Sequence, residues 1–341
     1  MLIRPGGEIG KGELLGIAIV TGALAGIAMG YVLQRGQLCF HAMFADAWHG
    51  RFLLLRGWAL AVGLGAVGLA VVYLSPLGSE LNTGLPFRPV ANIVGGLLIG
   101  WGMAIAQSCV SGLLYKFGAG MMGAAVGILG WIAGELAVRG VVLPGPTVLP
   151  GGDAGTIPGL VGLPRLLVAA LVLAAVLAVL WRWRGRGNPS GPSWQWNWPT
   201  LGIGLGVVLV LGWVLAAVGG VDFGPSTVGA SAGAAAGRPN WWLIAFLLGI
   251  VIGGGIAARS TGAVELRGET RVRYVRLLVG GFLLGAGGWI AGGCNLGHGL
   301  SGMAQLNVSS IAVVICMALG VGLAGAVLRP RYRSPTQVTQ Q

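Results

Sequence analysis

Three of the four cysteines end an apolar run in a glycine-rich break: Gln34-Arg-Gly-Gln-Leu-Cys39, Gln107-Ser-Cys-Val-Ser-Gly112 and Gly292-Gly-Cys-Asn-Leu-Gly-His-Gly299. Glycine at this density makes a poor helix, so each thiol is placed where the backbone breaks. A cysteine there can donate a weak S–H hydrogen bond, attack sulfur as a thiolate, or fill a small apolar gap. Cys316, inside a plain helical run, reads as a gap-filler. No C-x-x-C is present, so neither a structural zinc nor a thioredoxin-type pair is signalled, and no metal or cofactor is expected. Polar partners cluster beside the thiols: Gln107, Ser111, Asn295 and Ser301 can cap a short helix or donate to an anion. His298 can donate to an anion or pin its loop through a carbonyl.

The elements that must hold these loops belong to a membrane protein. Of 341 residues, 55% are hydrophobic and 9% charged, against about 25% charged in a soluble domain. The 66 glycines carry no Gly-X-Y period and suit close helix packing in lipid. The net charge of +12 comes from basic residues between apolar runs, where they orient helices rather than bind nucleic acid. With a yardstick of about 20 apolar residues per span, nine transmembrane helices are expected near 12–33, 53–74, 91–108, 119–143, 165–183, 200–219, 241–258, 276–293 and 308–328. The fold class is therefore all-α and polytopic. The first run has no cleavage site after it and is expected to stay in the mature protein.

Nine spans put the termini on opposite sides. With the C-terminus inside, the cytoplasmic segments hold 15 of the 21 basic residues and the other side holds six, Arg4, Lys11, Arg88, Arg139, Arg165 and Arg238. The positive-inside rule then sets the N-terminus outside. The segment Trp181-Arg-Trp-Arg-Gly-Arg186 reads as an inner interfacial anchor, and the Pro144–Pro164 loop fits the outside.

A shift of 185 residues (273 − 88) aligns Arg88–Gly112 with Arg273–Gly297 without a gap, pairing Cys109 with Cys294, Gly95 with Gly280 and Gly102 with Gly287. These are the third and eighth spans, so the copies cross in opposite senses. Inverted repeats of this kind place a transporter's site near the midplane, where broken helices meet. A single transport domain over 1–341 follows, its halves about 12–143 and 200–328 joined by a span near 165–183. Arg88 and Arg273 open the equivalent spans as interfacial anchors, with recruitment of anions as the other reading. Non-helical backbone at membrane depth must be buried in protein or line a polar cavity, so the Cys loops are expected to be re-entrant. Their freed N–H groups would favour an anion.

The runs Arg35-Gly-Gln-Leu-Cys-Phe40, Ser108-Cys-Val-Ser-Gly-Leu-Leu-Tyr115 and Gly293-Cys-Asn-Leu-Gly-His-Gly-Leu-Ser-Gly302 resemble the three cysteine motifs of the YeeE/YedE sulfur-transport family of bacterial inner-membrane proteins. The resemblance implies uptake of thiosulfate for sulfur assimilation through an hourglass-shaped protein whose central cysteines pass the ion inward. It also implies a small cytoplasmic sulfur-carrier protein as partner, separate because this chain ends in a short polar tail after Arg333. The region Arg182–Arg238 matches no motif of that family.

On this reading Cys39, Cys109 and Cys294 are successive protonated S–H donors to the anion, because a thiolate would repel it. The binding set is completed by Gln107, Ser111, Asn295, His298 and Ser301. The chain has no G-x-x-x-x-G-K-[ST] loop and is no ATP-driven pump by itself. Two rivals remain: a membrane thiol oxidoreductase or sulfurtransferase, and a transporter of a selenium compound or sulfide. Glu135, four residues before Arg139, reads as half of an i,i+4 ion pair, with proton coupling as the alternative. Gly202-x-Gly204-x-Gly206 reads as a helix-packing surface.

Overall fold

A computed structural model describes residues 11–182 and 192–328. It is helical throughout, with isolated bridges and no named strand among the described residues. The first half runs α1 (Lys11–Gly36), α2 (Phe40–Trp48), α3 (Leu53–Tyr73), α4 (Pro89–Ala106), α5 (Val110–Gly118) and α6 (Gly123–Val138). After α7 (Ile157–Val161) and α8 (Arg165–Arg182) come α9 (Trp198–Val218), α10 (Ala230–Ala235), α11 (Trp241–Ser260), α12 (Arg271–Ala291), a π-helical turn Gly297–Gly302, and α13 (Val308–Val327).

Eight of these helices are long and apolar enough to cross a bilayer. The ninth expected span, placed near 119–143, is the 16-residue α6. At 1.5 Å per residue it reaches about 24 Å, short of a full hydrocarbon core of about 30 Å. Yet α6 lies along α12 in the same sense: Gly130 faces Leu278 and Gly134 faces Phe282. It therefore runs beside a full-length helix rather than across the surface. The outward residues Leu171, Val207, Leu248 and Ile315 are exposed apolar side chains, as a lipid-facing surface requires.

Glycine sets how closely the central helices approach. In the antiparallel pair α4–α12, a Cβ at Gly95 would lie 2.7 Å from the Gly287 carbonyl oxygen, and one at Gly102 would lie 2.8 Å from that of Gly280. Each contact becomes the other when 185 is added (95 to 280, 102 to 287). The same shift carries other packed pairs into one another: α1–α11 into α9–α3, α6–α12 into α13–α4, and α2–α13 into α10–α6. Gly202 and Gly206 sit against Leu60 and Leu64 of α3, so the G-x-G-x-G run is a packing surface. The helix α8 has no counterpart under the shift and packs on the outside of α3. Of the basic residues counted for orientation, Arg4, Arg184, Arg186, Arg329, Arg331 and Arg333 lie outside the described residues, as does the end of the Trp181–Arg186 anchor.

Candidate functional site

Each of the three cysteine loops interrupts the chain between a long helix and a short one. Cys39 caps α2 and Cys109 caps α5, both in extended conformation, and Cys294 precedes the π-helical turn. The long helices before them end at left-handed residues: Gln37 (φ 50°), Gln107 (φ 49°) and Gly292 (φ 78°). A left-handed residue stops a helix by turning the chain away from the axis, which aims the following cysteine inward. All three thiols are buried and none is in a disulfide.

The loops meet. Cys39 Sγ lies 3.5 Å from Cys109 Sγ and donates to it. Cys109 Sγ also accepts from the amides of Phe40 (3.4 Å) and Gly112 (3.4 Å), the first turns of α2 and α5. Ser111 Oγ is 3.4 Å from the same sulfur, and Asn295 Nδ2 of the third loop donates to Ser111 Oγ at 2.8 Å. Cys294 Sγ in turn accepts from the Leu296 and Gly297 amides. Hydrogen bonds thus link Cys39, Cys109, Ser111 and Asn295 in the buried core, and Cys294 is the chain neighbour of Asn295. Helix N-termini and amides converge on this cluster, and such groups favour negative charge.

The other expected residues fall on either side of this cluster. Both ring nitrogens of His298 are engaged within the protein, Nδ1 with Ser310 Oγ (2.8 Å) and Nε2 with the Ala291 carbonyl (3.1 Å). The imidazole therefore pins its loop to α12 and α13. Gln107 turns away from the thiols and accepts from Arg273 Nη1 at 3.1 Å. Ser301 Oγ donates to the Pro225 carbonyl at 2.7 Å. Cys316 sits on α13 against Gly96, apart from the cluster.

The Pro225 contact exposes what sequence reasoning missed. Residues Gly224–Gly229 and α10 form a fourth loop that enters the same core: a Cβ at Gly297 would lie 3.0 Å from Ser226 Oγ, and Thr227 is fully buried with its hydroxyl unpartnered. The signal was the 185-residue shift itself, which carries Cys39 to Gly224 and α2 onto the segment around α10. The letters hide the equivalence because the matching position holds glycine rather than cysteine. Glu135 belongs to this loop, not to Arg139. It is fully buried, and its Oε1 accepts from the amides of Gly229 (2.7 Å) and Ala232 (3.3 Å). The i,i+4 ion pair expected from spacing does not form, because buried amides at the start of α10 compete for the carboxylate and win.

Over 327 residues the chain is 31% identical to the thiosulfate transporter TsuA of Spirochaeta thermophila, covering 89% of this chain and 96% of that one. To the thiosulfate transporter TsuA of Escherichia coli K12 it is 24% identical over 344 residues, 93% and 97% of the two chains. The probable transporter YedE of the same organism matches 103 residues at 29% identity, 30% of this chain and 24% of that one. Residues 35–323, a stretch that holds all four cysteines and the four inward loops, match the family described as Sulphur transport, and this multi-pass membrane protein belongs to that family.

Proposed function

We propose that the protein carries thiosulfate inward across a bacterial inner membrane, with the N-terminus outside and the C-terminus in the cytoplasm. Cys39, Cys109 and Cys294 are the successive donors along its route. The observation that carries this reading is the meeting of three cysteine loops in the buried core, Cys39 against Cys109 and Ser111 bonded to Asn295, the neighbour of Cys294. Two relatives matching nearly the whole chain bear the name thiosulfate transporter.

The energetics explain why several weak donors suit the task. An ion moved from water into a dry medium loses of order 20 kcal/mol in the idealised limit, and several even after relaxation. One donor does not offset that. Amides already fill the lone-pair side of Cys109 and Cys294, so each S–H is left to turn toward a passing anion. Thiols bind loosely, and loose sites at successive positions let an ion enter and leave. We assign Ser111 and Asn295 as the donors between thiols, and Ser301 and His298 as residues that hold the loops. Gln107 acts through its arginine partner. The two halves, about 12–143 and 200–328, form one transport domain whose helices close around the loops, with a small sulfur-carrier protein as acceptor on the cytoplasmic side.

Uptake of radiolabelled thiosulfate into proteoliposomes tests the reading. Each of Cys39→Ala, Cys109→Ala and Cys294→Ala should lower uptake strongly while Cys316→Ala leaves it near wild type. Normal uptake by all three with damage confined to Cys316→Ala would overturn it.

A further inference from the structure

Away from the thiols, two half-buried arginines occupy matching places. Arg88 caps α4 and Arg273 lies in the first turn of α12, and 88 plus 185 is 273. Each reaches the cysteine loop that follows the other helix. Arg273 Nη1 donates to Gln107, two residues before Cys109. Arg88 Nη2 lies over Gly292, two residues before Cys294, where a Cβ would come within 3.5 Å of it. Gln107 and Gly292 are themselves related by the same shift, and both are left-handed. Because α4 and α12 are antiparallel, the two guanidinium groups mark opposite ends of the thiol cluster.

Neither arginine is in an ion pair among the described residues. The Arg88 side chain makes no hydrogen bond there, and its Nε is buried without a partner. Glu269 acts electrostatically on Arg273, whereas the half-buried Arg88 guanidinium has no ion pair among the described residues and is costly there unless it binds an anion. Beside Gln107, the partner of Arg273, lies a cavity of about 630 Å³ lined mostly by apolar residues together with His41, His49 and Arg276.

Building on the proposed transport of thiosulfate, we infer that Arg88 and Arg273 are equivalent oxyanion-docking residues, Arg88 at the outer mouth and Arg273 at the inner one. A guanidinium fork matches two oxygens of a sulfonate-type group. Docked so, the ion presents its oxygens to arginine and its terminal sulfur to the nearer thiol, which gives the passage an orientation as well as a charge. Arg276, in the lining of the cavity beside Gln107, receives the ion after Arg273.

The test pairs binding with transport. Purified Arg88→Ala should bind thiosulfate at least tenfold more weakly than wild type, with Arg88→Lys between them. In proteoliposomes it should raise KM for entrance from the Arg88 side, whereas Arg273→Ala should raise KM from the opposite side. Wild-type KM values from both sides in the two alanine variants, while Cys109→Ala is inactive, would overturn the docking role and leave the transport reading intact. Weakened binding in Arg88→Ala together with no transport by wild type would uphold docking and sink transport instead. If the Arg88→Ala effect vanishes when phosphatidylglycerol is left out of the vesicles, the group held is a lipid phosphate, and the inference falls.

Discussion

At the scale of single residues, the central feature is two sulfur atoms 3.5 Å apart on loops 70 residues distant in sequence. That proximity predicts a chemical handle. Diamide should oxidise Cys39 and Cys109 to a disulfide, the reagent taking up both electrons and protons, and uptake should stop until a reductant is added. By mass spectrometry Cys39→Ser should form no intramolecular disulfide under diamide; one that still forms would mean that different thiols are responsible. Replacing a single donor is expected to cost about 1.5–3 kcal/mol where the partner is charged, so Asn295→Ala should weaken thiosulfate binding by about ten- to a hundredfold. Isothermal titration of the purified protein reads this directly. His298→Ala leaves Ser310 and the Ala291 carbonyl without their partner and should act mainly on stability, lowering the thermal midpoint. Unchanged melting with lost binding would move His298 into the substrate path.

At the scale of elements, glycine decides how near the helices come and the left-handed residues decide where they stop. Gly95→Leu would drive a side chain into the α12 backbone. Overpacking of this kind costs about 1–3 kcal/mol, and the variant should melt lower and sample fewer folded molecules by size-exclusion chromatography. A variant as stable as wild type would show that α4 and α12 can part without loss. The fourth loop gives a sharper case. Glu135→Ala strips the acceptor from two buried amides, each worth about 1–3 kcal/mol when left unpaired, while Glu135→Gln keeps an acceptor oxygen. Uptake is expected to survive the glutamine change and fall with alanine. Equal loss in both variants would point to the carboxylate's charge, and so to proton coupling.

At the scale of the whole molecule, the helix pairs related by the 185-residue shift argue that the two halves are one design used twice, in opposite senses. Reporter fusions test the orientation: alkaline phosphatase inserted at Pro146 should be active outside, and a fluorescent protein after Gln341 should fluoresce in the cytoplasm. The reverse pattern would invert the assignment of Arg88 and Arg273 to outer and inner mouths. Much of this plan was legible in the chain because a bilayer imposes length and polarity on every span, and because a repeat with glycine and cysteine in register leaves a pattern in the letters. The fourth loop was not legible, since its copy holds Gly224 where the first holds Cys39, and the shortness of α6 was hidden by apolar residues that continue beyond the helix.

The sequence alone determined that this protein lives in lipid, that its thiols stand at helix breaks, and that two of them are equivalent, because hydrophobic length, backbone propensity and repetition are local properties. Only the tertiary structure decided which polar atoms meet. Cys39 touching Cys109, Asn295 reaching Ser111, Glu135 choosing the amides of α10 over Arg139, and His298 spending both nitrogens on its own loop are contacts between distant segments. They follow from helices packed glycine to glycine, and no spacing along one strand of sequence encodes that approach.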